Sequence, residues 1–131
     1  SNQPGLAKSS FTFENLENYL SEFQSFLSNY RAHIDFFAIC PHHPEVGWPN
    51  ENSMLKVVCS CRKPDTGLFL RCKNLFGVNF AKSLFLGDSE VDKIASEQLG
   101  ITFLQVKDWS TSSIDQACRK LDEFIGVSTC S

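Results

Sequence analysis

Cys40-Pro41-His42 and Cys59-Ser60-Cys61 form a C-x-H…C-x-C pattern that constrains this chain more than any other feature. Three thiolates and one imidazole are the donors that tetrahedral zinc takes, and four protein ligands leave no open position for water, so the ion expected here is structural. The stretch between the two pairs needs such a staple. Residues 41–63 include prolines at 41, 44 and 49 and show no hydrophobic period; compact domains seldom leave a loop of this length without a function or a constraint. Zinc on Cys40, His42, Cys59 and Cys61 would order loop 40–61. Disulfides are the competing reading, but a C-x-C pair rarely bonds to itself. The start Ser1-Asn2-Gln3-Pro4-Gly5 has neither the basic flank nor the apolar run of a secretory signal, so a reducing, cytoplasmic setting is expected. His43 fits the pattern less well than His42. Cys72, Cys118 and Cys130 lie apart and read as thiols without chemistry.

Around this cluster the hydrophobic pattern alternates between helix and strand. Leu16, Leu20, Phe23, Leu27 and Tyr30 recur at helical spacing and predict an amphipathic helix over 11–30, with Thr12 as N-cap and Glu14 and Glu17 near its positive end. Residues 1–10 read as a loop. The run Ile34-Asp35-Phe36-Phe37-Ala38-Ile39 predicts a buried strand that delivers Cys40. Residues 64–76 predict a helix with Pro64 in its first turn and Gly77 as its stop. Strand 83–86, helix 89–99 stopped by Gly100, strand 101–106 and helix 113–125 follow. This order predicts an α/β fold with a largely parallel sheet, whose ligands gather outside the carboxyl ends of the strands. At 131 residues the chain is expected to form a single domain, 1–131.

Charge and hydropathy narrow the function classes. The formal net charge is -3 and there is no basic stripe or recognition helix after the Cys/His cluster, which argues against nucleic acid as partner and against a zinc finger. No apolar run approaches the roughly 18–20 residues of a membrane span.

Four segments together, S-N-Q-P-G-L-A at 1–7, C-P-H-H-P at 40–44, C-S-C-R-K-P at 59–64 and L-G-D-S-E-V-D at 86–92, resemble the haloacid-dehalogenase phosphatases. The resemblance is to the branch of the heptose 1,7-bisphosphate phosphatases and the histidinol-phosphate phosphatase domain, and it runs to about Val106. It implies a Rossmannoid three-layer fold and Mg²⁺-dependent hydrolysis of a phosphomonoester on a small phosphorylated sugar, first of all a heptose bisphosphate. Ser1 and Asn2 would meet phosphate through hydroxyl and amide donors. Lys63 would hold the phosphoryl group and the attacking carboxylate, and Arg62 would read a second phosphate or sugar hydroxyls. Asp88, at the carboxyl end of a strand, would ligate Mg²⁺, with Asp92 one helical turn later contributing indirectly. The other meaning of Asp88 and Asp92 is an acidic helix N-terminus opposing the dipole.

In the family the nucleophile is an aspartate of a D-x-D motif upstream of the serine motif, and it forms an aspartyl-phosphate. No D-x-D occurs in this sequence. The resemblance therefore implies that an amino-terminal segment of the same protein, with the first strands of the sheet, is missing. It also implies that the chain alone is inactive, with edges exposed where those strands would pair. A catalytically silent zinc-stapled module that binds a sugar phosphate or a protein is the alternative.

Overall fold

The computed structural model describes residues 1–106 and 110–126; Cys130 and the rest of the tail lie outside the described residues. The chain divides into two compact units, Ser1–Arg62 and Lys63–Ser131.

The first unit opens with a helical turn where the sequence predicts loop: α1 spans Pro4–Ala7. Proline's fixed φ and missing N–H suit a first helical position, and Leu6 and Ala7 gain burial from the turn. Helix α2, Phe13–Ser28, begins one residue after Thr12, as expected. Thr12 Oγ1 accepts from the Asn15 amide at 3.1 Å, and Asn15 Oδ1 accepts from the Thr12 amide at 3.0 Å. This is a capping box with asparagine in the usual Glu/Gln position.

The expected strand over 34–39 does not form. Regular pairing is confined to a parallel bridge between Asn2 and Cys40, in which Cys40 N–H donates to Ser1 O at 2.9 Å and Gln3 N–H to Cys40 O at 2.8 Å. The run is rich in β-favouring residues, but a ladder needs a partner of matching length, and here the partner turns into α1 at Pro4.

The long loop is ordered by its own contacts as well. Asn52 N–H donates to Ala7 O at 2.9 Å, tying the loop to α1. The Glu51 carboxylate accepts from the amides of Gly47 and Trp48, both at 3.1 Å, and pairs with Lys56 at 3.0 Å. Lys56 and Lys8 both place Nζ over the Trp48 ring, 4.4 and 4.2 Å from its centroid. Lys56 and these amides hold the Glu51 carboxyl below the usual carboxylate range. A depressed folded value means that this contribution is complete above the unfolded value, about 4.3, and is lost as pH falls through the lower folded value. In a Trp109→Phe background, Trp48 fluorescence is therefore expected to show an acid transition below about pH 4.3 that Glu51→Gln abolishes. A transition unchanged by Glu51→Gln would remove this role.

The second unit carries the parallel sheet. Helix α3, Gly67–Phe76, starts three residues later than Pro64 suggests, and Gly77 caps it in the left-handed region as expected. The peptide between Lys63 and Pro64 is cis, and Lys63 and Pro64 lie in a turn ahead of the helix. Strand β1, Leu84–Gly87, leads through α4, Glu90–Leu99, to β2, Thr102–Gln105. The strands pair in parallel with Leu84 opposite Thr102 and Gly87 opposite Gln105. Helix α5, Thr111–Ile125, follows. The core is built from Leu68, Ala95, Ile101 and Leu104, with Phe85 edge-on to Phe69 at 5.0 Å. No described helix is long and apolar enough to cross a membrane.

Candidate metal centre and phosphate site

Cys40, His42, Cys59 and Cys61 come together as the two ligand pairs predict, with one donor atom from each within 4.8 Å of all the others. Cys40 arrives on the paired segment beside Asn2, and Cys59 and Cys61 arrive after the loop has closed on α1. Cys61 Sγ sits 3.1 Å from Cys40 Sγ, 3.2 Å from Cys59 Sγ and 3.3 Å from His42 Nδ1. Cys40 Sγ lies 3.6 Å from Cys59 Sγ and 3.7 Å from His42 Nδ1. A regular tetrahedron with zinc–sulfur bonds of 2.3 Å has sulfur–sulfur edges of about 3.8 Å and sulfur–nitrogen edges of about 3.6 Å. Three observed edges lie close to these values, and the two shortest would open by roughly 0.6 Å to take the ion. The donor set and geometry thus fit zinc.

Amide groups already point at the sulfurs. His42 N–H donates to Cys40 Sγ, and the N–H groups of Cys61 and Arg62 donate to Cys59 Sγ. Burial raises the Cys40 thiol above its ordinary value and, with its two thiol neighbours, pushes Cys61 up to about 12. At Cys59 burial opposes ionisation, but the hydrogen bonds from Cys61, Cys40 and Arg62 outweigh it and lower the value. Cys40 and Cys61, crowded together without a cation, resist ionisation, so metal binding here must release protons. His43 is not in the cluster. It is buried, edge-on to Trp48 at 5.1 Å.

In the first unit the predicted phosphate residues Ser1 and Asn2 flank the metal segment through the Asn2–Cys40 bridge. Ser1 Oγ accepts from Gln3 Nε2 at 3.2 Å. Arg62 Nη1 donates to the His42 carbonyl at 3.1 Å, so the side chain expected to read substrate is directed, in this structure, at a metal ligand's peptide.

In the second unit Lys63, Asp88 and Asp92 line one cavity of ≈ 410 Å³, whose apolar wall includes Leu86, Cys118 and Leu121. Asp88 is exposed at the carboxyl end of β1, as predicted. Both Asp92 oxygens have protein partners: Oδ1 takes an ion pair from Lys63 Nζ, and Oδ2 accepts from Ser89 Oγ at 2.6 Å and Ser89 N–H at 3.2 Å. Burial opposes its charge, but Lys63 and Ser89 hold the carboxyl below its ordinary value. Sequence reasoning did not assign Ser89 a part in the site. The signal was present, since S-x-x-D just before an apolar helix is a variant of the capping box. Gly87 is required beside it, because a Cβ there would lie 2.6 Å from Asp92 Cβ.

The second unit is a parallel β-α-β unit with an acid at the strand end and a lysine held beside it, the first carries a three-cysteine, one-histidine loop, and the fold is haloacid-dehalogenase-like. The chain is similar in both sequence and structure to heptose bisphosphate phosphatases. It is 30% identical over 100 residues to the D-glycero-β-D-manno-heptose-1,7-bisphosphate 7-phosphatase of Vibrio cholerae serotype O1, covering 76% of this chain and 52% of that protein. It is 33% identical over 95 residues to the enzyme of the same name from Escherichia coli O6:H1, covering 72% of this chain and 48% of that one. The structure of D,D-heptose 1,7-bisphosphate phosphatase from B. bronchiseptica, complexed with magnesium and phosphate, superposes with a TM-score of 0.68 at 27% identity, covering 88% of this chain and 59% of that one. The chain thus spans about half the length of the curated relatives it matches. No family model matches it.

Proposed function

We propose that these residues supply the phosphate-holding and metal-binding side chains of a phosphomonoesterase that acts on a small sugar bisphosphate, with D-glycero-D-manno-heptose 1,7-bisphosphate as the first substrate to test. One observation carries the reading: Lys63, its side chain mostly buried and tethered by Asp92, lines the same cavity as Asp88 at the carboxyl end of β1. A lysine fixed in this way presents its charge to a phosphoryl group with little reorganisation, and electrostatic stabilisation of this kind dominates phosphoryl transfer. The names of the relatives point to the same substrate class.

In this reading Lys63 binds a phosphoryl oxygen and offsets charge that develops on it, while Asp92 keeps the ammonium aimed into the cavity. Ser1 and Asn2 are the candidate phosphate donors of the first unit. Asp88 gives one oxygen ligand to Mg²⁺, a small hard cation usually held by one or two carboxylates plus phosphate and water. When bound, Mg²⁺ neutralises phosphate charge and orients the group for in-line displacement. The loop over 40–61 is held by zinc and plays no chemical part. The attacking carboxylate lies outside these residues, because the sequence contains no D-x-D.

That same observation favours a second reading, a catalytically silent zinc-stapled module that binds a sugar phosphate or a protein. The reading frame encoding these residues separates the two. The phosphatase requires D-x-D within about 50 residues before Ser1, the length a strand-helix crossover allows; its absence would sink the enzyme. With the motif present, phosphate release from the bisphosphate in Mg²⁺ is expected to fall about 100-fold or more in both Lys63→Ala and Asp88→Asn, the usual cost of removing one preorganised electrostatic group. An unchanged rate in either would refute its role.

A further inference from the structure

Arg62 touches both halves of the Cys/His cluster. Its guanidinium donates through Nη1 to the carbonyl of His42, at 3.1 Å, and its amide N–H donates to Cys59 Sγ. His42 belongs to the pair that arrives with Cys40, and Cys59 to the pair that arrives after the long loop. One residue therefore bridges the two ligand pairs at the cluster itself, while farther along the loop His43 N–H donates to Leu55 O at 3.1 Å and Lys56 Nζ to Glu45 O at 2.6 Å. Its charge suits the place: three thiolates, one neutral imidazole and one divalent zinc sum to a single negative charge, and a half-buried guanidinium offsets it without competing for the metal. The fork geometry also matters, since a planar guanidinium can grip a carbonyl with one nitrogen and keep further donors for other acceptors.

From this we infer that Arg62 is a positioning residue of the metal centre, clasping the His42 peptide to the Cys59–Cys61 turn so that four donors are preset for zinc. The inference rests on the zinc reading of the cluster and goes beyond it. Groups that orient metal ligands from behind typically account for 10–100-fold in metal affinity.

The test is zinc transfer from the zinc-loaded chain to a chromophoric chelator, for the parent, Arg62→Ala and Arg62→Lys, with thermal unfolding measured in excess chelator and in excess zinc. Arg62→Ala is expected to bind Zn²⁺ about 10–100-fold more weakly while its Co²⁺-substituted form keeps the tetrahedral thiolate spectrum. Arg62→Lys, which keeps the charge and stem but not the fork, is expected to recover part of the loss and gives the same comparison if the alanine variant does not fold. The rise in unfolding temperature produced by zinc should shrink in step with affinity. Zinc affinity equal to the parent's in both variants would overturn the inference while leaving the metal site intact. So would an equal drop in stability with and without zinc, which would make Arg62 a general packing residue. Failure of the parent chain to take up zinc would remove the metal site itself, and this inference with it.

Discussion

The chain is expected to bind one zinc ion per polypeptide at neutral pH, and Cys61→Ala to weaken that binding about 100-fold. The magnitude follows from the 10–16 kcal/mol typical of structural zinc, roughly 3 kcal/mol for each of four ligands, at 1.4 kcal/mol per tenfold. Cys61 is the most informative ligand to remove, because its sulfur approaches all three other donors within 3.3 Å. The thiol that crowds the cluster most, with a value pushed up to about 12, is also the one whose ionisation most needs the cation. Metal content by mass spectrometry, with chelator competition for affinity, decides the matter. Stoichiometric zinc of undiminished affinity in Cys61→Ala would show that the cluster is not the site. Because the loop has the Glu51–Lys56–Trp48 contacts as well, metal loss is expected to loosen the segment around 57–62 before it loosens 43–56.

Those secondary contacts mark where the sequence was legible and where it was not. The zinc ligands were readable because coordination chemistry allows few residue types and the spacing supplied all four. Helix ends were readable wherever a cap has its own chemistry: Thr12, Gly77 and Gly100 all stand where they were expected. The strand over 34–39 was not, since its hydrophobic pattern is a statement about preference, whereas pairing depends on a partner elsewhere in the chain. Pro64 was misplaced for a related reason, as a proline fits a turn ahead of a helix as well as its first turn. Asp92 is the sharpest case. Its spacing from Asp88 is compatible with metal binding, with dipole capping and with tethering a lysine; only the side-chain positions show that both oxygens are committed to Lys63 and Ser89. Arg62 hid in the same way, because no spacing rule links an arginine to a histidine carbonyl twenty positions earlier.

The commitment of Asp92 leads to the second large effect. Asp92→Ala is expected to cost roughly 3–5 kcal/mol of stability, because it strips a mostly buried ammonium of its carboxylate and also removes the acceptor that caps α4 through Ser89. Lys63→Met is expected to cost less, on the order of 1–2 kcal/mol, since the remaining carboxylate keeps both bonds from Ser89 and the thioether fills part of the vacated volume. The double variant should be no less stable than Asp92→Ala alone, because the charge left stranded by the first change is removed by the second. Urea unfolding of the four proteins reads all three comparisons, and a larger loss in Lys63→Met than in Asp92→Ala would contradict the tether. Gly87→Ala provides an independent check on the same geometry. Its added Cβ would sit 2.6 Å from Asp92 Cβ and 2.9 Å from Oδ2, so the N-terminus of α4 must move away from β1 and carry the carboxylate with it. An overpacking cost of about 1–3 kcal/mol is expected, together with weaker binding of inorganic phosphate, because a Lys63 that is no longer held by Asp92 loses its fixed aim into the cavity.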